Sequence, residues 1–200
     1  MRFPRAGAVR TLVLLSFALW ASPAGAQTLT YGAKGGLDLT RVHFGSSFAP
    51  DTGTSAGVVG GGFVAAMLAH RLVLRGEVLV ANERAVFDSV ITDTIRTLDV
   101  PILIRSRAWS LNGHAIDVSG GFVARWVLDA TETVGGESSS IKGGIAKSNQ
   151  AVAIGGSIGL LRHVTADVRY LQGLKGVYKK IGGGTEGRTR TVQVTLEYQF

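Results

Sequence analysis

The last ten residues constrain the fold of this chain more than any other segment. Thr191-Val-Gln-Val-Thr-Leu-Glu-Tyr-Gln-Phe200 alternates without a break. Val192, Val194, Leu196, Tyr198 and Phe200 share one phase; Thr191, Gln193, Thr195, Glu197 and Gln199 share the other. Successive strand side chains point to opposite faces, so this period describes a strand with one oily and one wet side. Five other segments repeat the pattern. Leu29, Tyr31, Ala33, Leu37 and Leu39 oppose Thr30, Lys34, Asp38 and Thr40. Leu72, Leu74, Val78 and Val80 oppose Arg75 and Glu77, and Leu98, Val100, Ile102 and Ile104 oppose Thr97, Asp99 and Arg105. Ile116, Val118, Phe122, Ala124, Trp126 and Leu128 oppose Asp117, Ser119, Arg125 and Asp129. Val164, Ala166, Val168 and Tyr170 oppose Thr165, Asp167 and Arg169. Residues 57–68 and 150–161 also read as strands, but they are small and apolar in both phases, so their facing is open.

Eight such segments fit either a soluble sandwich or a membrane barrel, because alternation serves both. A sandwich turns its apolar phase inward, whereas a membrane barrel turns it to lipid and its polar phase to the lumen. The content of the polar phase favours the barrel. Lys34, Asp38, Arg75, Glu77, Asp99, Arg105, Asp117, Arg125, Asp129, Asp167, Arg169 and Glu197 are mixed in sign and rich in Arg and Asp, whereas solvated surfaces favour Lys and Glu. The expected lumen network is Lys34, Asp38, Arg75, Glu77, Arg105, Asp117, Arg125, Asp167, Arg169 and Glu197, paired across a narrow tube.

The links between segments alternate in length. Residues 44–56, 83–93, 130–148 and 172–189 form long links. Residues 69–71, 106–113 (with the turn pair Asn112-Gly113) and 161–163 form shorter ones. Outer-membrane barrels have short periplasmic turns and long external loops, and an even strand number returns both ends to one side. The expected architecture is therefore all-β: a single eight-stranded antiparallel up-and-down transmembrane barrel.

The amino-terminal segment reads as an address. Arg2, Arg5 and Arg10 precede an apolar run over residues 11–21, and Ser22-Pro-Ala-Gly-Ala26 supplies the small residues a signal peptidase reads. The run is too short for a helix that must span with about twenty residues. A signal peptide over 1–26 and a barrel domain over 27–200 are expected. Without those three arginines the net charge falls from +7 to +4, too mild to argue for nucleic-acid binding. The chain has no cysteine, which excludes disulfides and thiolate metal sites.

A terminal strand ending on an aromatic residue resembles the signal by which the outer-membrane assembly machinery recognises its clients, with Tyr198 and Phe200 as its carriers. Other short motifs add to this: Tyr31-Gly-Ala-Lys-Gly-Gly-Leu-Asp-Leu39, Leu98-Asp-Val-Pro-Ile-Leu-Ile104, Asp167-Val-Arg-Tyr170 followed by Gln-Gly-Leu174, and Leu196-Glu-Tyr-Gln-Phe200. Together they resemble the PorT-like outer-membrane β-barrel family of small single-domain barrels. The resemblance implies an outer-membrane address and says little about activity. Pro101 lacks the N–H that a central ladder needs, so a bulge or ladder break is expected beside it.

Chemistry is hard to find in this sequence. His43, His70, His114 and His163 have no metal-ligand spacing and fall at turns or rims. His43 with Ser46 or Ser47 is the one faint nucleophile pair. Gly35-Gly36, Gly60–Gly62 and Gly182–Gly184 precede no phosphate-loop helix. Lys175, Lys179, Lys180 and Arg188 form a basic outward loop that could meet anionic lipopolysaccharide. No cofactor, metal or catalytic residue is expected. The expected role is structural or surface-interacting, for a monomer meeting outer-membrane lipid, lipopolysaccharide and the assembly machinery. The alternatives are a soluble periplasmic barrel holding an apolar ligand and a lipid-modifying barrel enzyme.

Overall fold

The computed structural model describes residues 29–43, 54–87, 91–176 and 187–200. The expected signal peptide lies outside them. Among the described residues there are nine strands: β1 (Leu29–His43), β2 (Ser55–Ala69), β3 (Leu72–Phe87), β4 (Ile91–Leu111), β5 (His114–Val134), β6 (Glu137–Ser140), β7 (Ser148–Gly159), β8 (Val164–Gly173) and β9 (Arg188–Gln199). The sheet runs β4-β3-β2-β1-β9-β8-β7-β5-β6, and β4 also pairs with β5, which closes a ring of eight. All pairs are antiparallel, and β6 is a short spur on the end of β5. Closure leaves no unpaired edge in the ring.

The two phases separate as the alternation requires. On β9 and at Phe200 just beyond it, Val192, Val194, Leu196, Tyr198 and Phe200 are exposed, while Thr191, Gln193, Thr195 and Glu197 are buried. Leu37, Val78, Ile102, Phe122, Ile154 and Val168 carry the exposed apolar belt around the barrel, with Phe122 66% and Ile154 68% exposed. The two ambiguous strands now have a facing. Val58 and Val64 of β2 point outward and Val59, Phe63 and Ala65 inward; on β7, Ile154 points outward and Asn149, Ala151, Ala153 and Ser157 inward. Inside, Val59 packs with Leu79 and Ala81, and Ala151 and Ala153 pack with Leu103, Val123 and Leu171.

Three short connections lie at the end that carries Phe200. His70-Arg71 joins β2 to β3, Asn112-Gly113 joins β4 to β5, and residues 160–163 join β7 to β8. Asn112 and Gly113 adopt φ of 49° and 83°, the left-handed pair that a two-residue hairpin matched to strand twist demands.

At the opposite end the structure corrects the expected loops. The ladder between β3 and β4 continues to Phe87↔Ile91, so residues 83–87 and 91–93 are paired strand, the arms of a projecting hairpin, rather than loop. Likewise β5 runs on to Val134 and turns back through β6, within the expected loop 130–148. Backbone hydrogen bonds carry these extensions, in which the inward phase mixes Asp93 with Ile95 and the outward phase is polar at Thr94 and Arg96, so no clean oily-and-wet alternation marks the strand.

Irregularities re-aim some side chains. Arg96 pairs with Asp129 and Thr97 with Val127, which makes Leu128 the extra residue of a bulge. The phase of β5 flips there: Ala130 is buried, and Asp129 is exposed instead of joining the lumen. Beside Pro101, pairing with β3 runs from Gly76↔Ile102 directly to Leu79↔Asp99, skipping Val100 and Pro101 without a register shift. That is the expected ladder break, placed where proline has no N–H to donate.

Candidate functional site: the charged lumen

The inward phase brings distant strands into two charged groups. Lys34 of β1, Arg75 and Glu77 of β3, Arg105 of β4, Asp167 and Arg169 of β8 and Glu197 of β9 form the first, nearer the chain end. Arg75 grips Glu197 with both terminal nitrogens, at 2.9 and 2.8 Å, while its Nε lies 2.7 Å from Glu77. Arg169 grips Glu77 the same way at 2.9 and 3.1 Å and reaches Asp167 at 3.2 Å. Lys34 stands among Glu77, Asp167 and Glu197 at 3.4–3.5 Å. Arg105 closes the group against Asp167 and Glu197, both at 3.3 Å. The Arg75 guanidinium also lies over the Phe63 ring, 3.7 Å from its centroid.

The second group sits towards the projecting hairpins. Arg125 of β5 holds Asp99 through two parallel bonds of 2.9 and 2.8 Å and meets Glu83 at 2.7 Å. Gln193 donates to Asp38 at 3.0 Å. Beyond it, Ile95, Ala130 and Ile145 make a buried apolar cluster inside the extension.

Ten residues were expected to share the lumen. Lys34, Asp38, Arg75, Glu77, Arg125, Asp167, Arg169 and Glu197 are buried there, and Arg105 borders it. Asp117 is placed elsewhere: it pairs with exposed Arg107 at 3.4 Å, at the mouth near the short turns. Glu83 is the member that the sequence reading missed. It lies in the expected link 83–93, yet it continues the inward phase Glu77, Leu79, Ala81 and so stands beside Arg125.

Dehydrated ions cost several kcal/mol each, on the order of what well-made pairs return, so these pairs specify the packing more than they add net stability. A cavity of about 350 Å³ opens at the mouth, lined by Phe63, Ala65, Arg75, Arg105, His163 and Glu197 among others, and the first ionic group forms its floor. The histidines do not converge. His114 Nδ1 donates to Gly159 O at 2.6 Å and His163 Nδ1 to Gln199 O at 3.1 Å, which braces two turns. Among the described residues no cluster of three His, Cys, Asp or Glu could hold a metal ion. Ser46, Ser47, Lys179, Lys180 and Gly182–Gly184 lie outside the described residues.

Tyr198 and Phe200 face outward at the rim. Their rings lie 5.4 Å apart, Tyr31 joins Phe200 at 5.7 Å, and the Phe200 N–H donates to Tyr31 O at 3.0 Å. Amphipathic and aromatic rings at the edge of an apolar belt suit a bilayer interface.

With this geometry in view, the comparisons concern the fold. Neisserial surface protein A, a solved structure, matches with a TM-score of 0.51 at 12% identity, over 86% of this chain and 99% of its own. Ail, the attachment invasion locus protein of Yersinia pestis, matches with a TM-score of 0.50 at 12% identity, over 86% of this chain and 98% of its own. This chain has the fold of a small eight-stranded outer-membrane barrel. No protein-family model and no curated protein matches the sequence.

Proposed function

We propose that this protein is an integral barrel of the bacterial outer membrane, with a structural or surface-interaction role carried by its outer hairpins and loops, and no catalytic activity. One observation carries the reading: the side chains are inverted relative to a soluble protein. Leu196 and Phe200 are 58% and 64% exposed while Asp38 and Asp167 are fully buried. In water that arrangement would expose an apolar belt far beyond what soluble monomers tolerate. In a bilayer the belt meets lipid and the ions stay paired inside. Side chains fill an eight-stranded lumen, so bulk transport is not part of the role.

The partners follow from the same reading. The apolar belt meets outer-membrane lipid and lipopolysaccharide, Tyr198 and Phe200 present the terminal strand to the assembly machinery, and the barrel acts as a monomer. Membership of the PorT-like group rests on the short motifs around Tyr31, Pro101 and Tyr170 and on the terminal Leu196-Glu-Tyr-Gln-Phe200. The soluble alternative needs an apolar cavity for its ligand, and the cavity at the mouth is lined by Arg75, Arg105 and Glu197 of the first ionic group.

Fractionation with heat-modifiable gel migration tests the proposal. The folded protein should co-sediment with outer membranes and migrate anomalously until boiled. Recovery in the soluble periplasmic fraction, with no shift on boiling, would refute it.

A further inference from the structure

At the short-turn end of the barrel the first ionic group meets open space. Three adjoining cavities, of about 350, 480 and 110 Å³, all border Arg105, Arg107 and Asp117. Arg105 and Arg107 stand two residues apart on β4 and so share its inward phase. The walls add Arg75 in the first cavity, Arg162 in the second and Arg71 in the third, each with a histidine in the same lining (His163, His114 and His70). Against these five guanidiniums the walls hold two carboxylates, Asp117 and Glu197. The three turns that close this end all lie among the described residues, and residues 1–28, which precede β1, contain no Asp or Glu. The terminal carboxylate belongs to Phe200, which is exposed and lines none of these cavities.

The deficit reaches into the lumen. Lys34, Arg75, Arg105 and Arg169 face Glu77, Asp167 and Glu197, so the first group is one carboxylate short. Arg105 is the cation left over. Arg75 and Arg169 hold Glu197 and Glu77 at 2.8–3.1 Å, whereas Arg105 reaches Asp167 and Glu197 at 3.3–3.5 Å, and both already serve other cations. Asp117 does not make up the shortfall, because Arg107 engages it at 3.4 Å. A cleft lined by one sign of charge between low-dielectric walls concentrates counter-ions. Part of the wall of the 350 Å³ cavity is apolar, made by Phe63, Ala65 and Met67 of β2 and Val73 of β3. Its volume falls within the ~300–1,000 Å³ of small-molecule sites. An inorganic anion would leave that apolar wall uncovered. A guanidinium fork matches a carboxylate, and a short apolar body attached to the carboxylate covers the rest.

We propose that the short-turn mouth of the barrel binds a small organic carboxylate, its charged end on Arg105 and Arg107 and its apolar body against Phe63, Ala65, Met67 and Val73. The ligand supplies the fourth carboxylate of the first ionic group. The site stands on the geometry of the lumen; that it opens to the periplasm rests on the outer-membrane reading.

The test uses the full mature barrel in phosphatidylcholine nanodiscs, titrated against para-fluorobenzoate and followed by fluorine NMR line broadening, with empty nanodiscs as the blank. The wild type should bind para-fluorobenzoate and bind its neutral amide about tenfold or more weakly, as expected for a charge-assisted bond. R105Q leaves three cations facing three carboxylates, so it should keep its folded band on an unheated gel and lose about tenfold or more in affinity. Q199E, a near-isosteric change in the cavity wall, brings a resident carboxylate to the site and should weaken binding as well. R84Q, exposed on the projecting hairpin at the other end of β3, should leave it unchanged. Equal affinity in wild type and in either R105Q or Q199E overturns the site, as does equal affinity for the acid and its amide. Displacement by equimolar inorganic phosphate shows a bare-anion site and overturns the organic carboxylate. A wild-type protein that never enters the nanodisc overturns the outer-membrane reading itself, an outcome distinct from loss of benzoate binding in an inserted barrel.

Discussion

Arg125→Met and Arg169→Met remove the same charge from the same lumen, yet the surroundings make them unequal. Arg169 belongs to a group of four cations (Lys34, Arg75, Arg105, Arg169) and three carboxylates (Glu77, Asp167, Glu197). Its loss leaves three of each, and Glu77 keeps Arg75 at 2.7 Å and Lys34 at 3.5 Å. Arg125 instead pairs with both Asp99 and Glu83, with Asp38 in the same outer group. Its loss strands carboxylates in a dry interior, where removing one partner of a buried pair costs about 3–5 kcal/mol. Arg125→Met should therefore sit at the top of that range, and Arg169→Met near about 2 kcal/mol because its partners re-pair. Urea unfolding in phospholipid vesicles, followed by tryptophan fluorescence and by the folded band on an unheated gel, measures both. Combining Arg125→Met with Asp99→Asn and Glu83→Gln should recover most of the loss. Equal costs for the two single substitutions, or no recovery in the triple variant, would refute the account of the outer group.

Three further outcomes are expected. Val194→Arg places a charge on the lipid face of β9 and should cost about 2–4 kcal/mol in the same vesicle assay, whereas Val194→Leu should be nearly neutral; similar effects would remove Val194 from the lipid face. A β-carbon added at Gly121 would collide with the Ile102 carbonyl and lie 2.9 Å from Leu103 Cα, while one at Gly76 meets nothing within 4 Å. Gly121→Ala should then destabilise by about 1–3 kcal/mol and Gly76→Ala should not; the reverse order would contradict the tight β4–β5 approach. Gly113→Val forces a β-branched residue into a φ of 83° and should cost about 1–2 kcal/mol, visible as a lower urea midpoint and absent if the turn can change type.

The strands with opposed phases were legible because each position carried its own label: Glu197 between Leu196 and Tyr198, or Asp167 between Ala166 and Val168, could face only one way. β2 and β7 lacked that label. With Val, Ala and Gly in both phases, only the register against β1 and β8 settles which side is inside. The projecting hairpin was hidden for the opposite reason. Arg84, Thr94 and Arg96 put polar side chains in the outward phase while Asp93 and Ile95 share the inward one, which reads as loop although the backbone ladder continues. Glu83 was lost with it. Asp129 was misplaced because the bulge at Leu128 inserts one residue and turns every later side chain of β5 over; a count in steps of two cannot see an insertion. Asp117 kept its phase but lies at the mouth, where Arg107 can reach it from water. The pairing partners across the lumen, such as Arg75 with Glu197 or Arg169 with Glu77, depend on closure and strand stagger, which periodicity does not carry.

The most direct test of the account exploits the absence of cysteine. Single cysteines at Val192, Gln193, Val194, Thr195, Leu196 and Glu197 can each be spin-labelled in the vesicle-inserted barrel, and collision with oxygen and with a water-soluble nickel chelate measured at each site. The expected result is a two-residue period, with oxygen accessibility high at 192, 194 and 196 and both probes excluded at 193, 195 and 197. High nickel accessibility at 193, 195 and 197, with 192, 194 and 196 shielded from both, would show the apolar phase packed inside and contradict the membrane barrel.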